Sequence, residues 1–371
     1  VGTVAYTGIG HDYDQKVIDR LYVTFSRYFK RTLDTKEPAV KGLENLLSIP
    51  KDASAVIVST HKSQLDYCVV PWVLRHHNAK PADKPLAIAA GDNLFKKFLK
   101  WDFDRILRKA GGYKIIRKPE EGKRMSTIET LLKYTTERMH AGDWFLIFPE
   151  RGRSYTGEVI TFDSAALGLF QKAEKRAGRK VVYVPTAIGY ERVPEDRWFT
   201  SFQKYKSSPT KLGKLLYYAF DWPLIMAQQY FDFFSKSIGQ IEIRFGKPME
   251  SSDEGKLLHK EVFTNRVEEA CKSLVPAFST NIICAAFMQD DPRRVGENLV
   301  KIYDELALRD ALAHKIEFDD IIPRAARFFN APLRRFFQTG LAYGFARKDI
   351  MEYYNNCIAH YFTQQEAPKT S

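Results

Sequence analysis

From Ala55 to Phe245, short apolar runs alternate with longer segments whose apolar residues recur at helical spacing, and this alternation limits the possible folds more than any other feature. The runs are Ala55-Val56-Ile57-Val58-Ser59, Lys84-Pro85-Leu86-Ala87-Ile88-Ala89-Ala90, Tyr113-Lys114-Ile115-Ile116-Arg117, Trp144-Phe145-Leu146-Ile147-Phe148, Val181-Val182-Tyr183-Val184-Pro185 and Ile241-Glu242-Ile243-Arg244-Phe245. Their length and β-branched or aromatic content predict buried strands. Tyr67 to Arg75, Leu94 to Lys109, Met125 to His140 and Ala165 to Arg176 read as helices between them. The expected fold is therefore α/β, with a mixed, largely parallel sheet flanked by helices and with ligands gathering beyond the strand C-termini. An amphipathic helix over about Asp14 to Lys30 precedes the sheet, carrying Val17, Leu21, Phe25 and Tyr28 on one side. From about Lys256 every periodic segment reads as helix, ending in a polar tail at 364–371. The division expected is an N-terminal helical segment (1–50), an α/β domain (51–275) and a C-terminal helical region (276–371).

The chain has 57 Lys+Arg against 45 Asp+Glu, a formal charge of +12. Such a balance suits nucleic acid, an anionic membrane, coenzyme A phosphates or an acidic carrier protein. No zinc-finger spacing, P-loop or RNA-reading signature is present, so a nucleic-acid module is the least favoured of these. Cys68, Cys271, Cys284 and Cys357 are scattered without a CxxC pair, so no metal site or disulfide framework is expected, and a reducing, cytoplasmic setting is. The first thirty residues show no secretory signal. No run reaches the roughly 18 apolar residues of a spanning helix; the nearest, Leu215 to Ala227, is interrupted by Asp221 and Pro223. The stretch between Glu191 and Gln240 mixes Lys204, Lys206, Lys211 and Lys214 with Trp198, Phe202, Tyr217, Tyr218, Trp222, Tyr230 and Phe231. That mixture suits peripheral docking at a lipid surface, and equally an aromatic flap on the protein's own core.

Chemistry concentrates where strands end. His61-Lys62-Ser63-Gln64-Leu65-Asp66 follows the first long strand. On a continuous helix residues five apart diverge by about 140°, so His61 and Asp66 can meet only across a loop-to-helix junction. Ser63 as N-cap, with Asp66 three residues later as the acid of a capping box, supplies that junction. A carboxylate holding one imidazole nitrogen leaves the other to take a proton from a hydroxyl, which is triad logic with a substrate alcohol in place of serine. Phe148-Pro149-Glu150-Arg151-Gly152-Arg153-Ser154 leaves a buried strand and offers guanidinium groups for a phosphate, with Gly152 permitting close backbone approach. Arg117-Lys118 forms a second cationic strand end, and Pro185 closes a strand that could wall an acyl pocket.

In order and spacing these four blocks resemble the signature blocks of the glycerolipid acyltransferases: H-x4-D, a glycine-to-arginine block, an F-P-E-G-T-R-S-like block and a proline-ended strand. Tyr67 after Asp66, Gly152-Arg153-Ser154 with Thr156-Gly157, and Ile188-Gly189-Tyr190-Glu191 are more similar to the branch that acylates glycerol 3-phosphate or dihydroxyacetone phosphate than to the lysophosphatidate branch. Arg151 departs from the lysophosphatidate-type pattern, which has Gly there. The resemblance implies the glycerolipid acyltransferase fold, His61 as general base and Asp66 as its support. It also implies an acceptor phosphate on Arg117, Arg153 and Lys118, with Glu150, Gly152, Ser154 and Pro185 shaping the site. The reaction implied moves an acyl group from a coenzyme A or carrier-protein thioester to glycerol 3-phosphate at a membrane surface, with no cofactor. Dihydroxyacetone phosphate and a lysophospholipid are the alternative acceptors. No G-x-S-x-G elbow is present, in keeping with direct transfer and no acyl-enzyme.

Overall fold

The structure is a computed structural model that describes residues 9–81, 84–92, 103–116, 122, 124–150, 152–207, 210, 238–289, 294–329 and 348–363. Seven strands form one sheet: β1 (Ala39–Lys41), β2 (Ser54–Ser59), β3 (Leu86–Gly91), β4 (Gly112–Ile115), β5 (Trp144–Ile147), β6 (Val181–Tyr190) and β7 (Ile241–Phe245). Their order is β1-β7-β6-β2-β5-β3-β4. Only the β6–β7 pair is antiparallel; the other neighbours run parallel. The sheet is thus mixed and largely parallel, as the alternation predicts. Its edge strand β1 lies upstream of Lys51, and three residues are too few to carry a readable period.

All six residues of β2 are buried, and they alternate between two apolar layers. Ala55 and Ile57 face one layer, Val56 and Val58 the other, as the pleat requires of a strand covered on both sides. The first layer contains α1 (Gln15–Thr32) and α3 (Asp66–His76), together with helices of the C-terminal region: α9 (Ser279–Phe287), α10 (Val295–Leu308) and α11 (Ile321–Phe329). The second contains α5 (Arg124–His140), α6 (Ser164–Ala177) and α8 (Lys260–Ser273). Shorter helices are α2 (Leu43–Leu47) and α4 (Phe103–Lys109), while α7 (Asp196–Ser207) opens the segment after β6. Asp14 starts α1 by accepting from the amides of Lys16 and Val17. Among the described residues no helix is long and apolar enough to cross a membrane.

One expectation is corrected. Pro185 does not end its strand: β6 continues to Tyr190. Up to Thr186 it pairs with β2, and from Thr186 onward it also pairs with β7. Between the bridge Tyr183–Met249 and the pair Thr186–Phe245 the partner chain has the extra length of a bulge, Gly246-Lys247-Pro248. The ring nitrogen of Pro185 falls against that bulge, where no ladder donor is needed, while its carbonyl accepts from Gly246 N at 2.8 Å.

Candidate active site

The register of the two central strands determines what meets at their ends. β2 and β5 pair Val58 with Ile147, and three residues further along each chain bring His61 beside Glu150. Glu150 Oε1 accepts from the His61 amide at 2.9 Å, and Oε2 accepts from Ile160 N at 3.2 Å. The carboxylate thus ties two loops together at the C-terminal edge of the sheet.

Beyond His61 the chain turns once before α3, and the carboxylate at the first residue of α3 reaches back over that turn. Asp66 Oδ2 accepts from His61 Nδ1 at 2.8 Å, Lys62 N at 2.7 Å and Ser63 N at 3.0 Å, while Oδ1 accepts from the Tyr190 hydroxyl. Two of the groups on Oδ2 are obligate amide donors, so no proton has room on that oxygen and Nδ1 must be the donor to it. That assignment places the lone pair of the neutral ring on Nε2. The junction differs from a full capping box: Asp66 makes the return bond to Ser63 N, but Ser63 Oγ accepts from Leu65 N at 3.1 Å. The His61 ring is only 5% exposed. It stacks on Phe148, centroids 4.3 Å apart and planes at 27°, and meets Tyr67 edge-on at 5.2 Å. Aromatic walls rather than bulk water surround the base.

A residue outside the sequence reading completes this loop. Glu195, just ahead of α7, accepts from Ser63 Oγ at 2.7 Å and from Gln64 N at 2.9 Å. Burial pushes both Glu150 and Glu195 up to about 7, partly countered by Lys62 and the His61 and Ile160 amides at Glu150, and by Ser63, Gln64 and Arg153 at Glu195. Their contacts join segments distant in sequence, so the only local sign of Glu195 is its place just before a helix.

Arg153 is half-buried, with its guanidinium carbon 5.2 Å from the Trp198 ring and 5.7 Å from that of Phe199, both on α7. Ser154 is fully buried and lies 3.4 Å, oxygen to oxygen, from Thr156. A Cβ added at Gly152 would meet open space, which leaves room for a ligand against that backbone. Lys62 is buried and donates through Nζ to Gly157 O at 2.7 Å, joining the histidine loop to the Arg153 loop. Arg117, Lys118 and Arg151 lie outside the described residues. Among the described residues no three His, Cys, Asp or Glu side chains converge as metal ligands.

Residues 38–189, which include the H-x4-D turn, both strands that frame it and most of β6, match the family model described as Acyltransferase. That match supports a place for this region among the glycerolipid acyltransferases. Among curated members it is similar to the glycerol-3-phosphate acyltransferase of Ectopseudomonas mendocina, 25% identical over 304 residues, covering 81% of this chain and 32% of that protein. The same shares are covered by the glycerol-3-phosphate acyltransferases of Pseudomonas fluorescens Pf-5, at 25% identity, and Pseudomonas syringae pv. tomato, at 24%. The chain therefore spans about a third of the length of these relatives. A solved structure, the 1-acyl-sn-glycerophosphate acyltransferase PlsC of Thermotoga maritima, aligns at 17% identity and a TM-score of 0.38 over 69% of this chain and 78% of that one. Within the matched residues the H-x4-D pair lies at a strand's C-terminal edge, and Lys62 joins its loop to the Arg153 loop.

Proposed function

We propose that this chain transfers an acyl group from a coenzyme A or carrier-protein thioester to the sn-1 hydroxyl of glycerol 3-phosphate. The observation that carries the reading is the 2.8 Å bond from His61 Nδ1 to a carboxylate already held by two amides. With the ring fixed in that tautomer, Nε2 takes the hydroxyl proton as the oxygen attacks the thioester carbonyl. The C–S bond then breaks, and the thiolate leaving group recovers a proton. Asp66 stabilises the imidazolium that forms in between. Arg153, together with Arg117 and Lys118, holds the acceptor phosphate, with Glu150, Gly152 and Ser154 shaping the loop around it. The names of the curated relatives support glycerol 3-phosphate as acceptor over dihydroxyacetone phosphate or a lysophospholipid. The charge of +12 supports attraction to an anionic lipid surface at the cytoplasmic face, where the product would be delivered.

The purified chain, offered palmitoyl-coenzyme A with each of the three acceptors, should release free thiol fastest with glycerol 3-phosphate. Replacing the base, His61→Ala, should lower that rate by about 10²–10⁴-fold, with the circular dichroism of the wild type retained. A fully active, folded variant would exclude His61 as base.

A further inference from the structure

We infer that Glu195 is a positioning residue for the proposed transfer, fixing the Ser63-Gln64 turn and through it the carboxylate that orients His61. The inference rests on that reading of the reaction but has a readout independent of it.

The contacts run in an unbroken series. Glu195 Oε2 accepts from Ser63 Oγ, and Oε1 accepts from the amide of the next residue, Gln64. Ser63 N donates to Asp66 Oδ2, the oxygen that also receives His61 Nδ1. A shift of Ser63 therefore removes one of the two amides that define which atom of the Asp66–His61 pair carries the proton. Glu195 is 4% exposed, and burying a carboxylate is costly unless its oxygens are well partnered. An ordinary helix cap would turn to the amides of its own first turn. At the start of α7 the adjacent Asp196 instead accepts from the Arg197 amide, and the Glu195 side chain crosses to a segment 131 residues away. Arg153 lies close enough to offset part of the rise in its proton affinity. One side chain thus holds the base's loop, while the charge of Arg153 acts on it.

The test uses the whole 371-residue chain with histidine-selective ¹⁵N labelling, comparing wild type, Glu195→Gln and Glu195→Ala. Long-range ¹H–¹⁵N spectra report whether the His61 proton resides on Nδ1, and steady-state rates with palmitoyl-coenzyme A and glycerol 3-phosphate report kcat and KM. The expected result is an Nδ1–H ring in the wild type and a mixture of tautomers in Glu195→Ala. Its kcat should fall by about 10²-fold, the scale of a displaced catalytic group, with KM for glycerol 3-phosphate retained. Glu195→Gln keeps one acceptor for Gln64 N and should fall between the two, and it carries the same readout if Glu195→Ala does not fold. A ring that stays Nδ1–H in whichever variant folds overturns the inference, whatever the rate. Loss of that tautomer in a chain that transfers no acyl group sustains the positioning and overturns the reaction instead.

Discussion

His61 is held by carboxylates at two of its atoms, with Glu150 on the amide and Asp66 on Nδ1, and Glu195 holds the turn that follows. Burial raises Glu150 and Glu195 from an ordinary 4.5 to about 7. Between those values the folded protein binds protons that the unfolded chain has released. By linkage, stability contributed at these two sites is present below about 4.5 and declines as pH rises through about 7. Replacing both by glutamine removes the titration, so the melting temperature of the double variant relative to wild type should be higher at pH 8 than at pH 5. Thermal melts across that range check it, and parallel curves would show that neither group titrates there. The His61–Asp66 pair was legible from sequence because its geometry is local, a strand exit and a helix start five residues apart. Glu195 was not, because its partners lie 131 and 132 residues away.

Among elements, α7 and the helical residues 348–356 enclose the Arg153 loop. Trp198 and Phe199 on α7 lie against the guanidinium. From the other side, Asn356 donates to Thr156 O at 3.0 Å, and the Tyr354 hydroxyl donates to Asp196 Oδ2 at 2.9 Å, tying both elements together. Gly157 has φ +91°, and a Cβ there would sit 1.9 Å from Tyr353 O, so the turn accepts only glycine. The first part of the aromatic segment after Glu191 thus packs on the protein's own loop, while Lys211, Lys214, Tyr217, Tyr218, Trp222, Tyr230 and Phe231 lie outside the described residues. A cation–ring contact of this kind contributes about 0.5–1 kcal/mol. Trp198→Ala should therefore raise KM for the phosphate acceptor by roughly 2–5-fold while kcat holds, in contrast to the kcat loss expected at Glu195. Equal falls in kcat and kcat/KM would mean that the ring serves the chemistry rather than the cation. Sequence period located β2, β5 and α6 within a few residues, whereas α7 lies in a stretch that reads only as a mixture of aromatic and basic residues. The period misplaced the end of β6 because a proline in a run of strand residues reads as a stop, whereas here the strand gains an antiparallel partner at that point.

At the scale of the whole molecule, the alternation of strands and helices revealed the sheet but not its order, since order depends on which faces the helices cover. The sequence division puts residues 276–371 in a region of their own, yet Ile282, Ile283, Leu299, Ile302 and Ile321 share one apolar layer with β2, β6 and β7. The polar contacts agree. Glu191, fully buried at the end of β6, accepts from Arg324 Nε at 2.9 Å and Nη2 at 2.7 Å, and from Ser279 Oγ at 2.5 Å. Cutting the chain after Val275 would uncover the apolar face of β2, β6 and β7 and remove Arg324 and Ser279 from Glu191. Leaving a covered Ile, Leu or Phe side chain exposed costs roughly 1.5–3 kcal/mol, so uncovering several outweighs much of the about 5–15 kcal/mol that holds an ordinary domain folded. Residues 1–275 expressed alone should therefore keep far-ultraviolet but lose near-ultraviolet circular dichroism, and bind a hydrophobic dye. Cooperative unfolding of that fragment with native near-ultraviolet signal would instead establish that the C-terminal helices form a separate unit resting on a self-sufficient sheet.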